Sequence, residues 1–130
     1  MRVCTFCKFR MRGLFKALSD EALNDLSEAF STRHCRAKDV VFHQGSPVEG
    51  FYILCDGAVK LVRESPQGKQ AIVDIVGPCQ PFGELSFDRG AVQSVTAEVV
   101  GSAAVHYIPR GAMVMFFGRT RRCSTRWLRS

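Results

Sequence analysis

The chain has 130 residues, of which 46% are hydrophobic, and a formal net charge of +6. This length fits one domain, and the composition is sufficient to bury a core. No apolar stretch reaches the roughly 18 residues of a membrane-spanning helix. No apolar run of signal-peptide length follows the basic N-terminus either. We therefore expect a cytoplasmic protein that does not enter a membrane.

The positive charge is concentrated at the two ends of the chain. Residues 1–15 and 99–130 contain only basic charged residues, whereas residues 16–98 contain all twelve acids and eight bases. Basic ends can attract nucleic acid or an acidic partner surface. A solvated tail is the simpler interpretation for either end alone.

The cysteines do not have the density of a secreted disulfide framework. Several lie in apolar stretches, where cysteine behaves as a small buried hydrophobe. We interpret the set as reduced thiols. The six positions are Cys4, Cys7, Cys35, Cys55, Cys79 and Cys123.

The first predicted element is a helix over residues 14–30, within a helical segment that we place at 10–32. Ser19 is a suitable N-cap, and the acids Asp20 and Glu21 follow it where the helix dipole favours negative charge. Apolar residues then recur at helical spacing and form one stripe that should face the core. They are Leu23, Leu26 and Phe30.

Residues 36–109 alternate short β-rich runs with turn signals, which is typical of an antiparallel barrel or sandwich. We predict a hairpin turn at Asp56-Gly57 and a second turn at Gln67-Gly68. The predicted strands are 40–42, 51–54, 58–63, 71–76, 93–100 and 103–108.

The last strand is predicted to end at Pro109, where a helix can begin. This helix should cover residues 110–117, and the segment 110–130 forms the C-terminal helix and an arginine-rich tail. We see no linker, no internal repeat and no low-complexity tract. The sequence therefore predicts a single domain over residues 1–130.

Four motifs in this order resemble the Crp/Fnr family and the wider cyclic-nucleotide-binding domain. They are Val41 to Ser46, Phe51 to Leu61, Gly68-Lys69-Gln70 and Phe82-Gly83-Glu84-Leu85, and the resemblance covers about residues 4–117. It implies a mainly β fold, an antiparallel β-roll or double-stranded jelly roll, flanked by an N-terminal helix and a C-terminal helix.

The resemblance also implies a ligand site. Gly83, Glu84, Leu85 and Ser86 match the family's phosphate-binding cassette, in which the glutamate binds the ribose 2′-hydroxyl. Glycine permits close backbone approach, and a following helical turn would present free N–H groups to an anion. About ten residues further on, the family has an arginine for the phosphate, followed by serine or threonine.

The sequence departs from this pattern at the second half of the site. Ser94 stands at the hydroxyl position, but Gln93 stands where the arginine belongs. A neutral amide can donate to a phosphate but cannot neutralise it. The absence of the arginine should lower the affinity for a cyclic nucleotide at least tenfold, since about 1.4 kcal/mol is a factor of ten. Arg89 is close enough in sequence to compensate. The segment 77–81 also departs from the family.

The pair Cys4 and Cys7 suggests a different sensor. One Crp/Fnr branch uses an N-terminal CxxC and two further cysteines to bind an iron–sulfur cluster, and four thiolates are the usual requirement. The remaining two would fall near Gly13 and His106, and neither position is cysteine. A cluster that recruits Cys35, a dithiol redox switch and an unused pair are the interpretations that stay open.

An enzyme is not expected. The three histidines, His34, His43 and His106, form no HxH or HxxxH pair. This argues against the metal-binding cupins, and we assign no metal site. No nucleophile–base pair is visible either.

The sequence thus predicts the ligand-sensing effector domain of a Crp/Fnr-type transcription regulator, with cAMP or cGMP as candidate ligands and no certain cofactor. We expect a homodimer through the C-terminal helix. Only 21 residues follow Pro109, so we expect no helix-turn-helix and no sequence-specific DNA binding by this chain alone. The alternatives are a redox or Fe–S sensor and a degenerate domain that only dimerises, burying Met113, Phe116 and Phe117.

Overall fold

The computed structural model describes residues 19–84 and 90–112. In this part of the chain a helix precedes six strands, and residues 110–112 are helical again. The helix α1 is Asp20–Ala29, and the strands are β1 (Ser31–Cys35), β2 (Val40–Phe42), β3 (Gly50–Glu64), β4 (Gln70–Val76), β5 (Pro81–Phe82) and β6 (Thr96–Pro109).

Helix α1 begins where the capping pattern predicts. The Ser19 hydroxyl oxygen accepts a hydrogen bond from the Ala22 N–H at 3.1 Å, which satisfies one of the free donors of the first turn. The predicted stripe is confirmed, since Leu23, Leu26 and Phe30 are all buried.

The predicted C-terminal boundary of this helical segment is wrong. Phe30 has an extended backbone, and Ser31–Cys35 forms strand β1 instead of the end of a helix that we placed at residue 32. The reason is non-local, because β1 pairs residue by residue with the second half of β6. Residues 10–18 lie outside the described part of the chain.

The two long strands β3 and β6 organise the sheet. They pair antiparallel from Gly50↔Pro109 to Val62↔Thr96. Each also pairs with two shorter strands, one along each half of its length: β6 with β1 and β2, β3 with β5 and β4. The predicted antiparallel, mainly β roll is confirmed.

The hairpin predicted at Asp56-Gly57 is wrong. β3 runs through this dipeptide, with register irregularities between Leu54 and Asp56 and between Asp56 and Ala58. β6 likewise runs through Gly101, where we expected a break between two strands. Irregularities of this kind bend a strand without ending it, so one strand can serve both halves of the roll.

The turn predicted at Gln67-Gly68 is confirmed. The Gly68 N–H donates to the Ser65 carbonyl at 2.9 Å, and the Ser65 N–H donates to the Lys69 carbonyl at 2.8 Å. These bonds connect β3 to β4. Residues 110–112 agree with a helix beginning after Pro109, and the rest of that predicted helix lies outside the described residues.

The interior of the roll is apolar and contains a cluster of aromatic rings. Phe42, Tyr52 and Phe82 have ring centroids 5.3 to 5.9 Å apart. Aromatic pairs at this separation stabilise a core beyond their buried area. Burial, with a smaller effect of Tyr107, raises the pKa of Tyr52 to about 12, so its phenol stays protonated. The cluster lies directly behind the cassette, because Phe82 precedes Gly83.

A second buried layer lies on the opposite face of β3. Side chains alternate across a strand, so Phe51 and Ile53 face away from Leu54, which belongs to the interior cluster. Phe30 of the α1 end packs edge-on against Phe51, with ring centroids 6.1 Å apart. His106 of β6 is 2% exposed, and its Nδ1 lies 2.9 Å from the Thr32 hydroxyl.

Burial lowers the pKa of His106 below the ordinary value of 6.5. The folded state therefore holds a neutral ring at pH values where the unfolded chain already binds a proton. Stability from this residue is present above pH 6.5 and is lost as the pH falls through the lower pKa of the folded state. Between about pH 7.5 and 5.5, His106 should make the free energy of unfolding fall by at most about 1.4 kcal/mol per pH unit, the limit for one proton. We expect His106→Gln to lose less unfolding free energy over this range.

Urea titrations at several pH values measure this dependence. His34→Gln is the matched control, because it removes an exposed histidine of β1 and leaves the buried His106 in place. Equal pH dependence of the wild type and His106→Gln would contradict the assignment.

Cys79 adopts a left-handed backbone conformation, with φ of 66°. Its N–H donates to the Leu54 carbonyl at 2.6 Å, and the Leu54 N–H donates to the Gln80 carbonyl at 3.0 Å. Cys79 and Gln80 therefore both oppose Leu54. This is the pattern of a G1 β-bulge, whose first position is usually glycine. We expect Cys79→Gly to be more stable than Cys79→Ala by about 1 kcal/mol, because only alanine keeps the left-handed strain. Thermal or urea unfolding of the two variants tests this, and equal stability would contradict it.

The described residues contain no helix that is both long enough and apolar enough to cross a membrane.

Candidate functional site

The cassette begins at the end of the short strand β5, where Gly83 follows the buried Phe82. Gly83 has φ of 94°, a conformation that side chains rarely adopt. A Cβ atom here would lie 3.0 Å from the Phe42 ring and 3.4 Å from Gln93 Oε1. Glycine is therefore required both by the backbone conformation and by the close approach of the ring.

The other side of the site is the segment that leads into β6. It is held by backbone hydrogen bonds to the turn after β2: the Gln93 N–H donates to the Ser46 carbonyl at 2.8 Å, and the Gly45 N–H donates to the Gln93 carbonyl at 2.8 Å. This pairing fixes the backbone of Gln93 beside Gly83. The turn motif quoted above therefore supports the site, a role that its sequence did not indicate.

The Gln93 side chain points into the molecule and is 1% exposed. Its Oε1 accepts a hydrogen bond from the Glu84 N–H at 2.9 Å. A backbone N–H can only donate, so this bond fixes the amide oxygen on the Glu84 side. The Nε2 group is left without a hydrogen-bond partner among the described residues.

Glu84 and Ser94 are joined directly. The Ser94 hydroxyl donates to Glu84 Oε1 at 2.8 Å, and this pair lies close to the surface. A carboxylate can accept several hydrogen bonds, so one bond from serine leaves capacity for further donors. The pair therefore presents an oriented acceptor at the mouth of the site.

The structure brings together four of the six predicted site residues, namely Gly83, Glu84, Gln93 and Ser94. The other two, Leu85 and Ser86, lie outside the described residues, as does Arg89. Phe42 was not predicted as a site residue, although its ring forms the wall against Gly83. Its position inside a family motif was the only signal in the sequence.

The charge of the described part of the site comes from Glu84 alone. Within residues 19–84 and 90–112, no lysine or arginine forms an ion pair with this carboxylate. Gln93 and Ser94 contribute neutral dipoles. The same ranges contain no group of three or more histidine, cysteine or acidic side chains placed to hold a metal ion.

An antiparallel roll with a glycine turn, a carboxylate and a hydroxyl at one end has the architecture of a ligand-binding β-roll. Residues 32–120 match the family model of the cyclic nucleotide-binding domain. The chain belongs to this family.

Relatives of known description agree with this assignment. A CRP-like cAMP-activated global transcriptional regulator of Mycobacterium tuberculosis is 32% identical over 94 residues, which are 72% of this chain and 42% of that regulator. The chain thus spans less than half the length of this curated relative.

Solved structures of regulators share the fold. The N-terminal domain of a transcriptional regulator from Streptomyces coelicolor has a TM-score of 0.75 at 29% identity, covering 94% of this chain and 85% of that chain. The Thermus thermophilus Catabolite Activator Protein has a TM-score of 0.72 at 24% identity, covering 83% of this chain and 51% of that one.

Proposed function

We propose that this chain is the ligand-sensing effector domain of a Crp/Fnr-type transcription regulator. The cassette binds cAMP or a related small ligand weakly or not at all, because Gln93 replaces the phosphate-binding arginine. The observation that carries this proposal is the pairing of Gly83, Glu84 and Ser94 in one cassette with a buried amide in the place of the guanidinium.

The retained half of the cassette suits a ribose. Glu84 is oriented by the Ser94 hydroxyl and can accept a hydrogen bond from a sugar hydroxyl. The altered half lacks the charge that a phosphate needs. An arginine would supply a planar, permanently charged fork, whereas Gln93 supplies a single amide donor group. The relative from Mycobacterium tuberculosis is described as cAMP-activated, which supports a nucleotide-like ligand.

A signal from the cassette has a short path to the C-terminal segment. β5 pairs with β3. Glu49 precedes β3, and its backbone carbonyl accepts hydrogen bonds from the Arg110 N–H at 2.8 Å and from the Tyr107 hydroxyl at 3.3 Å. Ligand binding would shift the population of positions of the helix that starts there, and with it the geometry of a homodimer. Light scattering tests the dimer, and a monomer at all concentrations would contradict it.

In this proposal the domain is a cytoplasmic regulator without catalytic activity, and its partners are a small-molecule effector and a second copy of the chain. The redox alternative depends on Cys4 and Cys7, and the dimerisation-only alternative on Met113, Phe116 and Phe117. These residues lie outside the described part of the chain, and both alternatives stay predictions.

Calorimetric titration with cAMP and cGMP tests the ligand. We expect the wild type to bind at least tenfold more weakly than Gln93→Arg, because the substitution restores a charged hydrogen bond worth about 1.5–3 kcal/mol. Gln67→Arg is the matched control, since it adds the same charge in an exposed turn and should leave affinity at the wild-type level.

A second change locates the binding site. Adding Glu84→Gln to Gln93→Arg should weaken binding again, because the ribose loses its carboxylate acceptor. Absence of both heat and thermal shift for the wild type and Gln93→Arg at millimolar ligand would contradict the cyclic-nucleotide proposal.

A further inference from the structure

The cassette has an imbalance that bears on which ligand it selects. Its described part contains one negative charge, on Glu84, and no positive charge. Its buried end contains an amide group, Gln93 Nε2, that has no hydrogen-bond partner among the described residues. A buried donor without an acceptor is unfavourable, and most buried polar groups have partners. The site is therefore short of one acceptor atom.

The missing acceptor need not carry a charge. A neutral oxygen can accept from Nε2 as a phosphate oxygen can, and an amide does not offset the cost of bringing an anion into a low-dielectric site. The Glu84 carboxylate adds repulsion between like charges. An uncharged oxygen thus satisfies the amide without meeting this repulsion.

The other end of the site still selects for hydroxyl groups. Glu84 Oε1 accepts from Ser94, and the carboxylate retains lone pairs for a second hydroxyl donor. A ligand that matches both ends donates a hydroxyl to Glu84 and presents a neutral oxygen to Gln93. A ribose with free hydroxyls supplies both the hydroxyl donor and the neutral oxygen. In a cyclic nucleotide, the phosphate puts an anionic oxygen in the place of the neutral one.

We infer that the cassette prefers an uncharged nucleoside to the corresponding cyclic nucleotide. This inference rests on the proposed function, because it assumes that the cassette is the ligand site of the domain. It reverses the usual charge selectivity that an arginine at position 93 would give.

The test is a calorimetric comparison of adenosine and guanosine with cAMP and cGMP on the full chain. We expect at least one nucleoside to bind at least tenfold more tightly than its cyclic nucleotide. Gln93→Arg should reverse this order by raising cyclic-nucleotide affinity at least tenfold, whereas Gln67→Arg should keep the wild-type order.

Ionic strength gives an independent readout. Salt screens attraction and repulsion alike, so added salt should strengthen cyclic-nucleotide binding to the wild type and weaken it for Gln93→Arg. Nucleoside binding should change little with salt in either protein.

The outcomes separate the inference from the proposed function. If the wild type binds a cyclic nucleotide as tightly as the nucleoside, the inference is wrong and the proposed function stands. If Arg89→Gln abolishes such binding, Arg89 supplies the charge and the inference is wrong for that reason. If only Gln93→Arg binds any of the four ligands, the cassette is intact but not a nucleoside site. Binding by neither protein overturns both.

Discussion

Gly57→Ala is expected to lower the free energy of unfolding by about 2–5 kcal/mol, the sum of left-handed backbone strain and overpacking. Gly57 has φ of 94°, and a Cβ atom there would overlap the Ser102 carbonyl oxygen and lie 2.9 Å from the Ala103 Cα. Both atoms belong to the backbone of β6, which cannot move aside as a flexible side chain could. Urea unfolding measures the loss.

Gly68→Ala separates the two contributions. Gly68 also has a left-handed backbone, with φ of 83°, but a Cβ atom there has no atom within 4 Å. We expect this control to lose only the backbone strain, about 1–2 kcal/mol. Equal losses for the two variants would show that the close approach of β3 and β6 at Gly57 is not a real constraint.

The same substitution should affect the ligand site. Gly57 lies at the irregularity that divides β3 into a half that pairs with β5 and a half that pairs with β4. Gly83 follows β5 directly, so a change in the bend displaces the cassette relative to the rest of the roll. Gln93→Arg with Gly57→Ala should bind cyclic nucleotide more weakly than Gln93→Arg alone at a temperature where both are folded.

The error at Asp56-Gly57 shows what a local pattern can and cannot predict. The dipeptide indicates a left-handed residue, and Gly57 does have a positive φ. A hairpin turn and an irregularity within a strand can both require a residue with positive φ. The choice between them depends on whether β6 continues alongside, and that is a property of residues more than forty positions away.

Strand β1 was missed for a related reason. Its sequence, Ser-Thr-Arg-His-Cys, has no alternation of apolar and polar residues, and only Cys35 is buried. Pairing with β6 makes it a strand, including the Thr32↔His106 pair whose side chains lie within hydrogen-bond distance. The composition of β1 alone does not indicate that it pairs with β6.

The candidate site was largely predictable because its residues occur as two short motifs. The family pattern assigned both Glu84 and Ser94 to the ligand site, and their side chains form a hydrogen bond of 2.8 Å. The state of Gln93 was not predictable. Its burial, its bond to the Glu84 N–H and its unpartnered Nε2 depend on how three separate segments come together.

Ile53→Ala is expected to destabilise the domain by about 2–5 kcal/mol, the usual cost of a cavity in a well-packed core. Ile53 is 0% exposed and pairs with both Pro81 of β5 and His106 of β6. Ile75→Ala is the matched control, because Ile75 lies in strand β4 and is 60% exposed. We expect that control to stay within about 0.5 kcal/mol of the wild type.

The comparison of Ile53→Ala with Ile75→Ala tests which face of the sheet contributes more to the stability of the domain. The same side chain is removed from a strand in both variants, so a change in strand propensity largely cancels between them. The remaining difference reports burial, since Ile53 lies in the layer that includes Phe51 and His106, whereas β4 has exposed residues along most of its length. A loss at Ile75 as large as that at Ile53 would mean that the outer face of β4 is covered in solution. Light scattering of both variants would then show whether a second copy of the chain provides that cover.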